Sequence, residues 1–494
     1  MFDLSHLNSQ QKLAVQTTEG AVLVLAGAGS GKTSVLTHRI AFILDSGLAG
    51  PDNILAMTFT NKAAGEMKER ILNILKDKQD LSNLTLNWMG TFHSIGVKIL
   101  KKYGNRIGID RNFTIYDSAD QLSVIKDCME KLRISQKDFN PRAIHSYISS
   151  IKNENISPED YITFAQGYFQ QVVSEVYFEY EKMLRKNNAV DFDDLLILQI
   201  KLLEQDEEIC KRLQQQFRYI LIDEYQDTNP AQYKIISILA KGHGNICAVG
   251  DDDQSIYSFR GATIKNILNF EIDYPNCEII KLEQNYRSTK KILEASYQVI
   301  SKNQNRKDKK LWTENDAGEQ ITIYEARDEI DEANWIINQI EALNTPLDNV
   351  AILYRTNAQS RSLEEAFINR GVPYRLIGAF RFYERKEVKD ILAYLKFIFN
   401  PKDTQSLSRI INTPKRGIGN KSFKDFVNLA QDNGLTPGEF LTSEQEVSNS
   451  KIKDFAILIK NFYTKIDELD IVSFMDFIIR ERLWVSFGLK INFK

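Results

Sequence analysis

The stretch AVLVLAGAGSGKTSVLTHR, residues 21–39, constrains the fold more than any other. An apolar run, a glycine-rich turn and an alternating apolar and polar segment predict a buried strand, a tight loop and a helix in succession. Gly29 and Gly31 let backbone N–H groups approach an anion closely. Lys32 reaches the β- and γ-phosphates of a nucleotide, and the Thr33 hydroxyl suits Mg²⁺. The candidate cradle is therefore Ala26, Gly27, Ala28, Gly29, Ser30, Gly31, Lys32 and Thr33. The spacing G-x-x-x-x-G-K-[ST] has Ala26 at its first position, which closes the strand and asks for a small residue more than for the φ freedom of glycine.

Further apolar runs predict strands from residues 54, 219, 245, 278, 321, 350 and 373, alternating with helix-length amphipathic segments. This is the pattern of an α/β chain, whose open parallel sheets hold ligands at their carboxyl edges. Between Gly104 and Asn188 the strand signal fades and helical spacing takes over, which predicts a helical insertion; helical patterns also dominate after Arg381. At 494 residues the chain has material for about three or four compact units. A net charge of −3 excludes a globally basic polyanion binder and leaves any nucleic-acid surface to a local patch. Cys128, Cys210, Cys247 and Cys277 lack metal-ligand spacing and fit a reducing compartment. The N-terminal residues lack the pattern of a secretory signal, and no apolar run approaches the ~18 residues of a membrane helix, so the expectation is a cytoplasmic protein.

YILIDEYQDTNPAQ places Asp223 and Glu224 where a buried strand emerges. Two adjacent carboxylates there fit one that holds Mg²⁺ and one that polarises an attacking water. By itself the pair reads equally as a helix-capping Asp beside a solvated Glu. In AVGDDDQSIYSFRGA, Gln254 is either a γ-phosphate sensor that positions water or an exposed loop amide. In LEQNYRST, Tyr286 offers a face to a base and Arg287 a guanidinium to a phosphate, although an arginine after a strand is often plain surface.

The order of LNSQQKLAV, AGAGSGKT, TFTNKAAGEMKERI, GTFHS, DEYQDTNPAQ, VGDDDQSIYSFRGA, QNYRS and AILYRTNAQSRSLEEAF closely resembles the UvrD/PcrA/Rep family of superfamily 1 DNA helicases, from about residue 4 to about residue 425. The resemblance implies two RecA-like P-loop domains with mostly helical insertions and ATP between them. The expected segments are 1–103 and 191–278 for the first domain, 104–190 for its insertion, 279–380 for the second domain and 381–494 for a partial second insertion. Carried over residue by residue, Gln11 would read adenine and Tyr286 would lie against the base. Lys32, Glu224, Gln254 and Arg287 would be catalytic, and Thr33 with Asp223 would hold Mg²⁺. Single-stranded DNA would lie across Phe59, Asn61, His93, Tyr257, Phe259 and Arg260, with Arg355 and Asn357 on the second domain. By spacing alone these aromatics would read as core. Phe259 departs from the tryptophan frequent in the family, which predicts a weaker stack there. Gly417 and Gly419 in NTPKRGIGNKSF resemble a turn that meets duplex phosphate.

The implied activity is that of a 3′→5′ ATP-dependent helicase or translocase acting on single strands and their junctions with duplex, in DNA repair or replication. The alternative is an ATP-responsive single-strand-binding protein without unwinding activity. The family's later motifs, Thr-x-His with Lys-Gly-Leu-Glu and an arginine-rich stretch, do not appear, and the residues after about 470 do not align. The resemblance therefore implies a chain that stops inside the second insertion. Its second domain would be incomplete and poorly stable, with ATP binding kept and turnover severely reduced.

Overall fold

In the computed structural model, which describes residues 2–76, 84–304, 306–377, 385–443 and 449–480, the apolar runs of the first half become strands of one sheet. Two units are present, Met1–Ala317 with Asp390–Lys494, and Gly318–Lys389. In the first unit α1 (Ser9–Gln16) precedes β1 (Val22–Ala26), α2 (Lys32–Asp45), β2 (Ile54–Thr58), α3 (Asn61–Leu75), β3 (Met89–Thr91) and α4 (Phe92–Tyr103). Two short strands follow, β4 (Thr114–Ile115) and β5 (Ala189–Val190), then β6 (Tyr219–Ile222), β7 (Ile246–Gly250) and β8 (Glu278–Leu282).

Six strands pair in the order β3-β2-β6-β7-β1-β8, all parallel. Successive side chains alternate faces. Val22 and Val24 join the core under α1, α2 and α3, whereas Leu23 and Leu25 join the core under α4 and the helices Asp194–Gln205 and Pro230–Ala240. With both faces covered, β1, β2, β6 and β7 are buried at every residue. That explains why they read as unbroken apolar runs.

The helical insertion is present. Helices Ser118–Lys131, Pro141–Asn153, Pro158–Phe164 and Tyr168–Lys186 enclose their own core around Val124, Ile148, Val173 and Val176, and β4 with β5 close its base. There the Lys152 ammonium is buried against Glu181 (2.5 Å), Asp191 (2.7 Å) and Asp194 (2.8 Å). A charge so far from water persists only with such partners. Helices from Thr404 to Ile478 form a further core around Phe426, Phe440, Phe455 and Phe462. They meet the insertion through polar contacts, including a Tyr116 hydroxyl donating to Asp403 Oδ1 at 2.6 Å and Asn400 Nδ2 donating to Asn187 O at 2.9 Å.

Beside the Lys152 cluster, Asp193 accepts from Asn153 Nδ2 at 3.0 Å. Burial and the neighbouring Asp191 carboxylate push its pKa up to about 7. Between about pH 4 and pH 7 the folded chain thus keeps a proton that the unfolded chain has lost, so stability falls as pH rises through that window. Asp193→Asn, which keeps an acceptor, is expected to match the parent's thermal midpoint at low pH. Above neutrality it exceeds the parent by the equivalent of about 1–2 kcal/mol, partial exposure having reduced the cost. Thermal melts across pH check this.

Two expectations need correction. The boundary expected between 278 and 279 falls inside β8, which pairs with β1 from Val22↔Glu278 to Ala26↔Leu282 and so belongs to the first sheet. The spatial division comes later, after Ala317. In the second unit the strands expected from 321 and 350 form no ladder among the described residues, and neither does the part of 373–378 that is described, up to 377. A strand exists through a neighbour that takes its N–H and C=O groups, and propensity alone does not supply one. Ile323 and Leu353 are accordingly 91% and 93% exposed. The unit's core is small: Ile337 and Ile340 of the helix Glu329–Leu343 pack on Phe367 of the helix Ser360–Arg370. The tail that failed to align lies mostly outside the described residues. All four cysteines are free, and no described helix is long and apolar enough to cross a membrane.

Candidate nucleotide and nucleic-acid site

Because all six strands run the same way, their carboxyl ends bring five sequence-distant loops to one edge. The loop after β1 turns through Gly29 (φ 66°) and Gly31 (φ 90°), a backbone region that side chains disfavour. Ala26 ends the strand fully buried, and its carbonyl accepts from Lys32 Nζ at 3.2 Å. Lys32 and Thr33 open α2, so its free N–H groups add to the positive character of the loop. Gln11 Nε2 donates to Ser30 O at 3.0 Å, and its Oε1 accepts from Asn8 N at 3.0 Å, which ties α1 to the cradle.

The turn after β8 closes on the same loop. Tyr286 N donates to Gly29 O at 3.0 Å, and Asn285 Nδ2 donates to Ala28 O at 2.6 Å. The Tyr286 ring is half exposed, with its hydroxyl accepting from Asn8 Nδ2 at 2.8 Å. Arg287 follows on the exposed side.

At the end of β6, Asp223 is buried and its Oδ1 has no hydrogen-bond partner among the described residues. Burial, then the charge of Glu224, push its pKa up to about 6. An unpaired buried carboxylate oxygen is costly and fits a site built for a cation. Glu224 sits in the left-handed region (φ 50°), where a non-glycine residue costs on the order of 1 kcal/mol. Gln226, which the sequence reading passed over, joins the parts: its Nε2 donates to Glu224 Oε2 at 2.9 Å and its Oε1 accepts from Asp251 N at 2.9 Å. Asp251 Oδ2 in turn accepts from Gln254 Nε2. Glu224 and Gln254 are thus linked through two buried residues, the Gln226 side chain and the backbone amide and carboxylate of Asp251.

The strand-binding candidates divide. Phe59, after β2, lies 4.9 Å from Tyr257 between ring centroids, and Tyr257 lies 5.9 Å from Phe259, which is 69% exposed. They form a run of ring surface instead of a core. Asn61 is exposed at the start of α3. His93, in α4, packs at 5.7 Å against Phe192, and burial lowers its pKa. Phe192 is 50% exposed and was missed, because a lone phenylalanine in VDFDD carries no periodicity that marks it as surface. The Arg260 side chain lies outside what is described. Arg355 and Asn357 belong to the second unit, where Arg355 N donates to Gln359 Oε1 at 3.0 Å and Asn357 opens a short 3₁₀ turn. Gly417 has φ 72° and its carbonyl accepts from Lys451 Nζ, while Gly419 precedes the helix Asn420–Asp432.

A parallel sheet with a phosphate loop, an acidic strand end and an amide-bearing loop on one edge defines a nucleotide-binding α/β protein. The UvrD/REP helicase N-terminal domain model matches residues 7–275 and the UvrD-like helicase C-terminal domain model matches 280–476; the chain belongs to this helicase family. It is 48% identical over 486 residues to the ATP-dependent DNA helicase PcrA of Bacillus subtilis (strain 168), with 96% of this chain and 65% of the relative covered. It is 49% identical over 469 residues to the PcrA helicase of Staphylococcus aureus (strain Mu50), with 94% and 63% covered. The chain therefore spans slightly under two thirds of the length of these relatives. The expected loss of turnover gains no support here, since both domain models are matched.

Proposed function

We propose that the chain is an ATP-hydrolysing DNA motor of the 3′→5′ type, which grips single-stranded DNA and its junctions with duplex and serves repair or replication in the cytoplasm. The observation that carries this reading is the Glu224–Gln226–Asp251–Gln254 chain, set beside the Lys32 loop and one short segment away from the ring surface of Tyr257 and Phe259. A change at Gln254 on nucleotide binding has only three residues to travel before it moves a ring that stacks a base.

In this reading Lys32 leaves the Ala26 carbonyl for the phosphates, and the amides of the Gly29–Gly31 turn take their oxygens. Glu224 accepts the proton of the attacking water, while Gln254 fixes where that water lies. Arg287 stands over the γ-phosphate, with Tyr286 and Gln11 against adenine. Thr33 and Asp223 would hold Mg²⁺, which neutralises phosphate charge when bound. The names of the relatives, ATP-dependent DNA helicases, support the same assignment.

The test is strand-stimulated ATP hydrolysis and strand displacement on one preparation, beside oligothymidylate binding. Phe259→Ala is expected to weaken oligothymidylate binding roughly 5- to 150-fold, the value of one stacked base, and to leave ATP affinity without DNA unchanged. Equal DNA affinity in the variant would remove Phe259 from the strand path.

A further inference from the structure

The segment 306–313, which carries no helix or strand, passes behind the site just described. Lys309 is 4% exposed, and its ammonium reaches Asp251 Oδ1 (2.9 Å), Asp253 Oδ2 (2.9 Å) and Asp252 Oδ1. The three donors of one ammonium thus meet three successive carboxylates. Arg306 adds a two-pronged contact to Asp253, both distances 2.9 Å. Two residues beyond Lys309, Leu311 lies so close to Gly27 of the phosphate loop that a Cβ there would stand 2.2 Å from Leu311 Cδ2. Trp312 then exchanges backbone hydrogen bonds with the turn after β8, donating to Glu283 O at 3.0 Å and accepting from Asn285 N at 2.7 Å. The segment therefore touches the phosphate loop, the Tyr286–Arg287 turn and the Gln254 loop within a few residues.

Two buried aspartates followed by a partly buried third are a poor way to gain stability, since like charges repel and each must be desolvated. Their arrangement gains sense from Asp251. One of its oxygens faces Lys309 and the other accepts from Gln254 Nε2. A carboxylate only accepts, so it decides which end of the Gln254 amide faces it and leaves Oε1 as the end able to accept from a water. Asp251 Oδ1 also accepts from Asp253 N at 3.2 Å, so the ammonium and that amide together fix the carboxylate that anchors Gln254.

We infer that Lys309 is a positioning residue for ATP hydrolysis, which holds Asp251 and thereby the Gln254 amide in register with the phosphate loop. The inference rests on the role proposed above for Gln254 and adds a residue from a segment to which no motif drew attention.

The experiment uses the full chain with single-stranded DNA and measures kcat, KM and ADP affinity for Lys309→Met, Lys309→Arg, Gln254→Ala and the Lys309→Met/Gln254→Ala double variant. Lys309→Met is expected to lower kcat about 10²-fold, the scale of a misplaced reacting group, with ADP affinity unchanged. Lys309→Arg, which keeps the charge, is intermediate in kcat. With Gln254→Ala present, Lys309→Met adds little, as expected of two residues acting through one contact. Wild-type kcat in Lys309→Met, full multiplication of the two effects, or joint loss of turnover and ADP affinity overturns the inference. Should the Met variant not fold, undiminished kcat in Asp251→Asn, which removes the carboxylate that Lys309 holds, overturns it as well. Failure of the underlying reading looks different: the unmodified chain itself then binds ATP without hydrolysing it, and the inference falls with it.

Discussion

Glu224→Gln is expected to lower ATP turnover by about 10²–10⁴-fold and to leave ATP affinity near that of the unmodified chain. The amide keeps the shape of the side chain and can still meet Gln226, whose Nε2 now donates to a neutral oxygen in place of Glu224 Oε2. What it loses is the ability to take a proton from water. Nothing in the phosphate cradle changes, so binding persists and the chemical step fails. The variant also removes a charge that raises the pKa of Asp223, and the nucleotide-free chain gains stability near neutral pH as Asp223 returns toward its ordinary range. Single-turnover hydrolysis with labelled ATP, beside equilibrium binding, separates the two effects. Parallel loss of affinity and turnover would place Glu224 in the binding of nucleotide.

Lys32→Ala acts on the other half of the site. Among the described residues the Lys32 ammonium donates a hydrogen bond only to the Ala26 carbonyl, 3.2 Å away, so little holds it back from a phosphate. A charged hydrogen bond of this kind contributes about 1.5–3 kcal/mol, and its removal weakens ATP binding roughly 10- to 150-fold. Turnover of the remaining complex drops a further 10²–10³-fold or so, because the charge developing on the phosphates loses its partner. The fold is not expected to suffer, since the Nζ contact that disappears is a partly buried one and α2 keeps its packing through Val35, Leu36 and Ile40. Isothermal titration with ATP and with ADP checks the prediction.

The first unit was legible where burial leaves a mark. The runs that became β1, β2, β6 and β7 are covered on both faces, and almost only apolar residues stand there, Thr58 at the end of β2 being the polar exception. β3 is only Met89–Thr91, too short to make a run, and was seen as a motif without being read as a strand. Ile323 and Leu353 sit in segments with strand composition, yet composition does not say whether a neighbour stands alongside. The candidate site divides in the same way. Lys32, Asp223, Glu224 and Tyr286 could be named because each lies at or just past the short loop that ends a strand. Gln226, Phe192 and Lys309 could not, since their roles come from contacts with residues remote in the chain: Gln226 meets Asp251 across 25 positions, and Lys309 meets Asp252 across 57. Polar residues in loops gain meaning only from what the sheet brings to them.

In the function proposed, occupancy of the phosphate loop sets how tightly a polynucleotide strand is held. Fluorescence anisotropy of a labelled oligothymidylate, titrated with the chain alone, with ADP and with a non-hydrolysable ATP analogue, reads it directly. The analogue is expected to shift strand affinity away from the nucleotide-free value, and Lys32→Ala to abolish the shift. Identical strand affinities in all three states, with the analogue shown to be bound, would contradict it.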